Sequence, residues 1–361
     1  MMRASERYEV AVVGAGIAGL AVARELFRKG RSVVVFEARD RVGGRLWSRR
    51  LTSTGQRVDA GATWYWPGEH RVARLVDELA VATHDQFIAG DATYHDRPHA
   101  QRIQGNPIDV PSYRFTNGAE SLAAAVAAQL PSDVVRLGAL VHEVEVRGER
   151  LLVRYGDPTA GVHEVEADHV AIALPPALAV HRIGFDPGLP DRLRSIAAAT
   201  PVWMGSTTKV IVHFSEPFWR AQGLSGSGIS HIGPMRELHD MSGPDGEPAV
   251  LIGFAPNRSS AEPVNEHEVR AQLIEMFGAA ANDPIDIIIT DWSAQPDTSP
   301  PGVEALHRYE TYGHAVWQIA GMGGRLHWTS TETSPEAPGH IEGALAAAER
   351  TVAVIVGSPP M

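Results

Sequence analysis

Residues 10–45, VAVVGAGIAGLAVARELFRKGRSVVVFEARDRVGGR, leave this chain few folds to choose from. The small and β-branched run 10–14 predicts a strand buried on both faces. The spacing Gly14, Gly16, Gly19 then predicts a tight turn that opens a helix through Arg28, closed by Gly30. The three glycines do different work: Gly14 permits the turn, Gly16 lets a pyrophosphate reach the backbone, and Gly19 lets the helix pack on the strand. Ala15, Ile17 and Ala18 complete the turn, whose helix N-terminus offers unpaired N–H groups and a positive dipole end. A second apolar run, 32–36, ends in Glu37, where an acid accepts hydrogen bonds from an adenosine ribose. The unit predicts a dinucleotide site.

The residues after Glu37 bear on which dinucleotide it is. Ala38, Arg39, Arg41, Gly43, Gly44 and Arg45 form a second glycine and arginine cluster. Guanidiniums pair with phosphate oxygens, and adjacent glycines let the chain pass close to a large planar ligand. A solvated basic turn would explain the arginines but not the paired glycines.

EARDRVGGR at 37–45 resembles the pattern of the flavin-containing amine oxidases, the family that includes monoamine, polyamine and L-amino-acid oxidases. The resemblance implies FAD in place of a nicotinamide. DAGATWYW at 59–66 resembles the family's segment passing the flavin ring, which implies cofactor contacts at Gly61, Ala62, Thr63 and Trp64. FTNGAESLAAAVAAQL at 115–130 resembles its return helix, and Val141 matches the position whose backbone meets the adenine. ALPPALAVHRIGFDPGLP at 173–190 resembles the exit from the FAD domain, and STTKVIVHFSEPFW at 206–219 the lysine-bearing strand. RLHWTSTETSPEAPGHIEGALAAAER at 325–350 resembles the closing flavin segment, which implies contacts at Ser330, Glu332 and Ile341. The fold implied is α/β: a discontinuous Rossmann-like FAD-binding domain (1–82, 115–175 and 320–361) plus a substrate domain on a mixed β-sheet (83–114 and 176–319). The alternating runs 209–214, 249–254 and 285–290 suit strands of that second sheet.

Composition sets limits on this reading. A chain of 361 residues with 44% hydrophobic content is long enough for two domains. A net charge of −11 disfavours nucleic acid and anionic membranes and steers a cationic substrate inward. There is no cysteine, which excludes disulfides, thiolate metal sites and a cysteine-linked flavin, so FAD is expected to be non-covalent unless a histidine carries it. The polar opening residues and the lack of a long apolar window lead to the expectation of a cytoplasmic protein without membrane spans. Asn257-Arg258-Ser259 fits a glycosylation acceptor but reads as a polar turn. His95 and His99 flank Pro98 and so do not share a helix face for a metal; no metal is expected.

Lys209 stands where the resemblance implies a lysine reaching flavin N5 through a water and assisting reoxidation by O₂. The implied reaction passes a hydride from the amine α-carbon to the flavin, with O₂ leaving as H₂O₂. The family's aromatic cage is not visible: the segment after the closing Thr-Glu-Thr reads Ala337-Pro338-Gly339-His340, and no aromatic residue follows Trp292 closely. Trp317, Tyr309 or Tyr312 are candidate substitutes, and His340, over the flavin, is a candidate general base or ligand for an acidic group. The excursion 83–114 is short, with 90–114 looking like loops, so the helices that roof the cavity in larger relatives are expected to be missing. That leaves the flavin face open or covered by a partner subunit, which allows a homodimer. An amine oxidase using O₂ is the favoured function. The alternatives are an FAD-dependent dehydrogenase or desaturase acting on a larger biosynthetic intermediate, and a flavin-binding protein that has lost catalysis.

Overall fold

The computed structural model describes residues 6–157, 161–256 and 262–357; Asn257-Arg258-Ser259, expected above to be a polar turn, lies outside them. β1 (Glu6–Val13) runs parallel between β2 (Val33–Phe36) and the strand Gly161–Ile172. Period-two alternation sends Val10, Val12, Val33 and Val35 into one core and Ala11, Val13, Val34 and Phe36 into the other, so the strands are apolar on both faces. The first core is closed by α1 (Ile17–Arg28) and the closing helix Ile341–Gly357. The second is closed by the antiparallel strands Leu140–Arg147 and Arg150–Asp157 and by the helix Asp191–Ala199.

This sheet has eight strands, with Val135–Arg136 at one end of the path and Gly184–Asp186 at the other. Gly184–Asp186 lies in sequence beyond 175 but pairs with Leu140–Arg147. The first sheet is interrupted by the second: Asp91–His95 and Gln101–Ile103 leave it for the second sheet, and Leu326–Trp328 returns to pair with Gly161–Ile172. At Gly19 an added Cβ would stand 2.0 Å from the Gly14 carbonyl oxygen, so the helix and its turn meet with no room for a side chain.

The second sheet has seven strands in the order Asp286–Asp291, Thr207–Phe214, Ala249–Pro256, Glu237–Asp240, Leu224–Ser230, Asp91–His95, Gln101–Ile103. It is mixed, because Leu224–Ser230 pairs in parallel with Asp91–His95. The expectation of loops across 90–114 is corrected here: Asp91–His95 and Gln101–Ile103 form a hairpin on the sheet edge. The polar letters hid it, since Thr93 and His95 are buried while hydrogen-bonding to Ser227 and Ser230. No helix occurs among the described residues of 83–114. Alternation along Thr207–Phe214 puts Val210 and Val212 toward the helix Glu266–Phe277. Ile211 faces Leu51, Val58 and Ala60 of the dinucleotide unit, and Lys209 shares its face.

Candidate active site

A cavity of about 580 Å³ runs from the glycine turn to the second sheet. Gly14, Gly16, Ile17 and Ala18 line it at the start of α1, Glu37 and Arg39 after β2, and Gly43, Gly44 and Arg45 beyond them. Gly61, Ala62, Thr63, Trp64, Ser330 and Ile341 continue the wall, and Lys209 and His340 close it. Ala38 and Val141 line a smaller pocket that shares Gly14 and Glu37 with the main one. Three of the expected contacts do not face the cavity. Ala15 is buried and donates its N–H to Glu37 Oε2 at 2.8 Å, Gly19 is the packing contact described above, and Glu332 is buried beneath Arg45.

Local geometry explains the cluster. Gly43 N–H donates to the Ala15 carbonyl at 2.8 Å, and Gly43 and Gly44 adopt φ of +99° and +58°, which favour glycine. The arginines behave differently from simple phosphate ligands. Arg41 lies 4.7 Å over the Trp47 ring and donates to the Val42 and Gly44 carbonyls. Arg45 makes a two-pronged pair with Glu332 at 2.6 and 3.1 Å. Burial opposes the charge on Glu332, but Arg45 holds its carboxyl below the ordinary range. Of the cluster's arginines, Arg39 keeps a place on the wall without such a pair, donating to Thr298 Oγ1 at 2.6 Å and standing 3.7 Å from Glu37. Ser330 Oγ is buried on this wall with no hydrogen-bond partner among the described residues. The open glycine cradle, Glu37 and this orphaned hydroxyl fit a dinucleotide.

At the other end, Lys209 Nζ donates to the Gly61 carbonyl and Thr63 Oγ1, each at 2.5 Å, and lies 5.5 Å from the Phe254 ring centre. Burial pushes its pKa down to about 7, against the pull of Asp59. Trp64 stands beside it, its Nε1 donating to Gln86 Oε1 at 2.8 Å. The aromatic candidates are corrected here. Trp317 is core and donates to the Thr311 carbonyl, Tyr309 is exposed, Tyr312 donates to the Pro201 carbonyl, and none lines the cavity. Trp64, Phe254, Trp66 and Trp203 line it instead. Trp203 covers Gly339, where an added Cβ would meet its ring at 2.6 Å. His340 sits between two tryptophans, its ring centre 4.9 Å from Trp66 and 6.3 Å from Trp203, with Nδ1 2.7 Å from Glu69 Oε1. Sequence reasoning missed Glu69 and Trp203; Trp66, inside the 59–66 motif, was the one legible signal.

Behind Trp64 the short excursion is stapled to the sheet. His239 contacts Asp109 Oδ1 at 2.5 Å and Glu237 Oε1 at 2.9 Å, with its ring centre 5.1 Å from Trp64. Burial opposes its charge, but the two carboxylates push the imidazole up to about 9 from 6.5. A raised folded pKa stabilises fully below the unfolded value and is lost as pH rises through about 9, a contribution of about 3 kcal/mol. Buried Lys209 trends the other way, so the check is a difference. In urea unfolding, the stability of the native protein minus that of His239→Gln is expected to shrink between pH 6 and pH 10; a constant difference would refute it.

The glycine turn, the acid after β2 and a cleft ending on a buried lysine are the parts of a dinucleotide-dependent oxidoreductase. The model of the family described as flavin containing amine oxidoreductase matches residues 17–112 and 109–356. The chain belongs to that family and is a flavin-dependent oxidoreductase. It is 27% identical over 453 positions to a Mycobacterium tuberculosis protein that bears the name of a flavin-containing monoamine oxidase, covering 96% of each chain. It is 24% identical to putrescine oxidase of Kocuria rosea, over 97% of this chain and 95% of that one. A solved putrescine oxidase bound to putrescine superposes with a TM-score of 0.83 at 23% identity, over 98% of this chain and 99% of the other, which shows the fold. An alignment of 453 positions against 361 residues leaves segments of the relative without counterpart here, and the two family matches meet at 109–112, inside the short excursion. No described helix is long and apolar enough to cross a membrane.

Proposed function

We propose that the protein is an FAD-dependent amine oxidase. The observation that carries this is Lys209, buried at the end of the dinucleotide cleft and bound to Gly61 and Thr63. Glu37, Ala38 and Val141 would hold the adenosine end, the 14–18 turn, Gly43 and Gly44 the pyrophosphate, and 61–64, Ser330 and Ile341 the flavin end. With no cysteine in the chain to form a thioether, FAD would bind non-covalently. Bound FAD supplies a two-electron acceptor for the hydride on the carbon next to nitrogen and passes the electrons to O₂, giving H₂O₂.

The chain's own residues do the rest. Neutral Lys209 spends both N–H bonds on Gly61 and Thr63 and keeps a lone pair to hold a water; protonated, it has a third N–H to offer. Trp64, Phe254, Trp66 and Trp203 exclude water and offer ring faces to an amine. His340 presents an imidazole to the same space.

The test is an absorbance spectrum, acid precipitation, and anaerobic addition of an amine panel. FAD should appear in the supernatant, and an amine should bleach the flavin band, with recovery in air. A colourless protein that takes up no FAD would refute the cofactor. One observation favours a dehydrogenase or desaturase of larger substrates: the excursion carries no roofing helix, and Trp203 and Met204 on the cavity wall are over a third exposed. Faster turnover with an artificial acceptor than with O₂ would select that reading.

A further inference from the structure

We propose that Glu69 and His340 form a proton-accepting pair that receives the substrate as an ammonium ion and deprotonates it at the cavity wall. This deepens the amine-oxidase reading and rests on it.

A hydride leaves the carbon next to nitrogen only when the nitrogen lone pair is free to form the imine. An alkylamine with a pKa of about 10 is almost wholly ammonium at neutral pH. A chain of net charge −11 draws in that form. The site therefore meets its substrate in the unreactive protonation state and needs a base on its wall.

Lys209 spends its N–H bonds on Gly61 and Thr63, and its lone pair is taken by the water assigned to it above. His340 is placed for the task. Glu69, buried at the start of α2 (His70–Glu78), is fixed by the Trp66 N–H, which donates to Oε2 at 3.0 Å, and its Oε1 lies 2.7 Å from His340 Nδ1. A carboxylate there puts the ring proton on Nδ1 and leaves the Nε2 lone pair available. Nε2 has no hydrogen-bond partner among the described residues, and the ring stands on the cavity wall. Trp66 and Trp203 bracket the imidazole and offer faces that attract an ammonium.

In the step, one ammonium N–H bond breaks and an N–H bond forms at Nε2. The imidazolium pairs with Glu69, and no electrons change hands. His340 is 35% exposed at its side chain, which gives the proton a way to solvent. Arg236 and Glu237 also line the cavity, Glu237 paired with His239. Arg45, which reaches the Trp203 carbonyl, is paired with Glu332, Arg71 is paired with Glu336 and Glu342 at the start of the closing helix, and Lys209 stands on the same cavity.

The probe is nitrogen-15-labelled 2-phenylpropan-2-amine, whose carbon next to nitrogen bears no hydrogen and so resists oxidation. Bound to the FAD-loaded protein at neutral pH, its nitrogen shift should report the neutral amine, and in His340→Phe and Glu69→Gln the ammonium. An ammonium in the native protein, a neutral amine in all three, or no binding would overturn the proposal. With an oxidisable amine, the second-order rate of anaerobic flavin reduction should be flat through neutral pH in the native protein. In His340→Phe it should rise tenfold per pH unit toward the amine's own pKa of about 10; the same profile in both would overturn the pair. If the probe is deprotonated but no amine bleaches the flavin, the oxidase reading fails and the pair does not.

Discussion

Lys209→Met is expected to slow reoxidation of the reduced enzyme by O₂ by on the order of a hundredfold. FAD should stay bound, and anaerobic reduction by amine should change much less. Electron transfer to O₂ builds negative charge, and a buried cation beside it acts at full strength because no water screens it. Burial brings the Lys209 pKa down to about 7, so the charged form is lost as pH rises through neutrality. The native reoxidation rate should therefore fall across that range, while the variant's should be slow and flat. Stopped-flow mixing of the photoreduced protein with aerated buffer measures both. An unchanged rate in Lys209→Met would remove the lysine from the oxidative half of the reaction. The variant also leaves Asp59 and Arg114 to balance each other in the interior, so folding should be checked by urea denaturation alongside.

What could be read from the sequence was what is encoded within a few residues. The turn at 14–19 was legible because each glycine answers a local need: a positive φ at Gly14, and a missing Cβ at Gly19 where helix meets strand. Lys209 was legible through the resemblance of 206–219 to the family's lysine-bearing strand, and alternation along that strand places it on the face of Ile211. Glu69 was not, because nothing near it in the chain marks its partner; it meets His340 across 271 residues of sequence. Trp203 escaped for the same reason, since it packs on Gly339. The hairpin at 91–103 escaped because its inward residues are polar and satisfied by neighbours on another strand. The cavity wall is aromatic all the same: where the closing segment offers alanine and histidine, Trp66 and Trp203 reach it from other parts of the chain.

Glu332 shows the same long reach in energetic form. Glu332→Gln is expected to destabilise the protein by about 3–5 kcal/mol, the usual cost of removing one partner of a buried ion pair. The carboxylate takes both arms of Arg45 and the Trp203 N–H at 3.3 Å, so one change leaves a guanidinium unmatched and loosens a wall of the substrate space. Because Arg45 keeps the Glu332 carboxyl below its ordinary range, this contribution is present above the unfolded carboxylate's pKa and is lost as pH falls through the folded value. The penalty belongs to the stranded charge and not to the space it fills. The double variant Arg45→Met with Glu332→Leu should therefore recover most of the lost stability while binding FAD more weakly, since Arg45 stands on the cofactor wall. Urea denaturation of the three proteins, with flavin release followed by fluorescence, separates the two effects. A Glu332→Gln loss below about 1 kcal/mol would place the pair among the weak surface contacts, and its burial would then need another explanation.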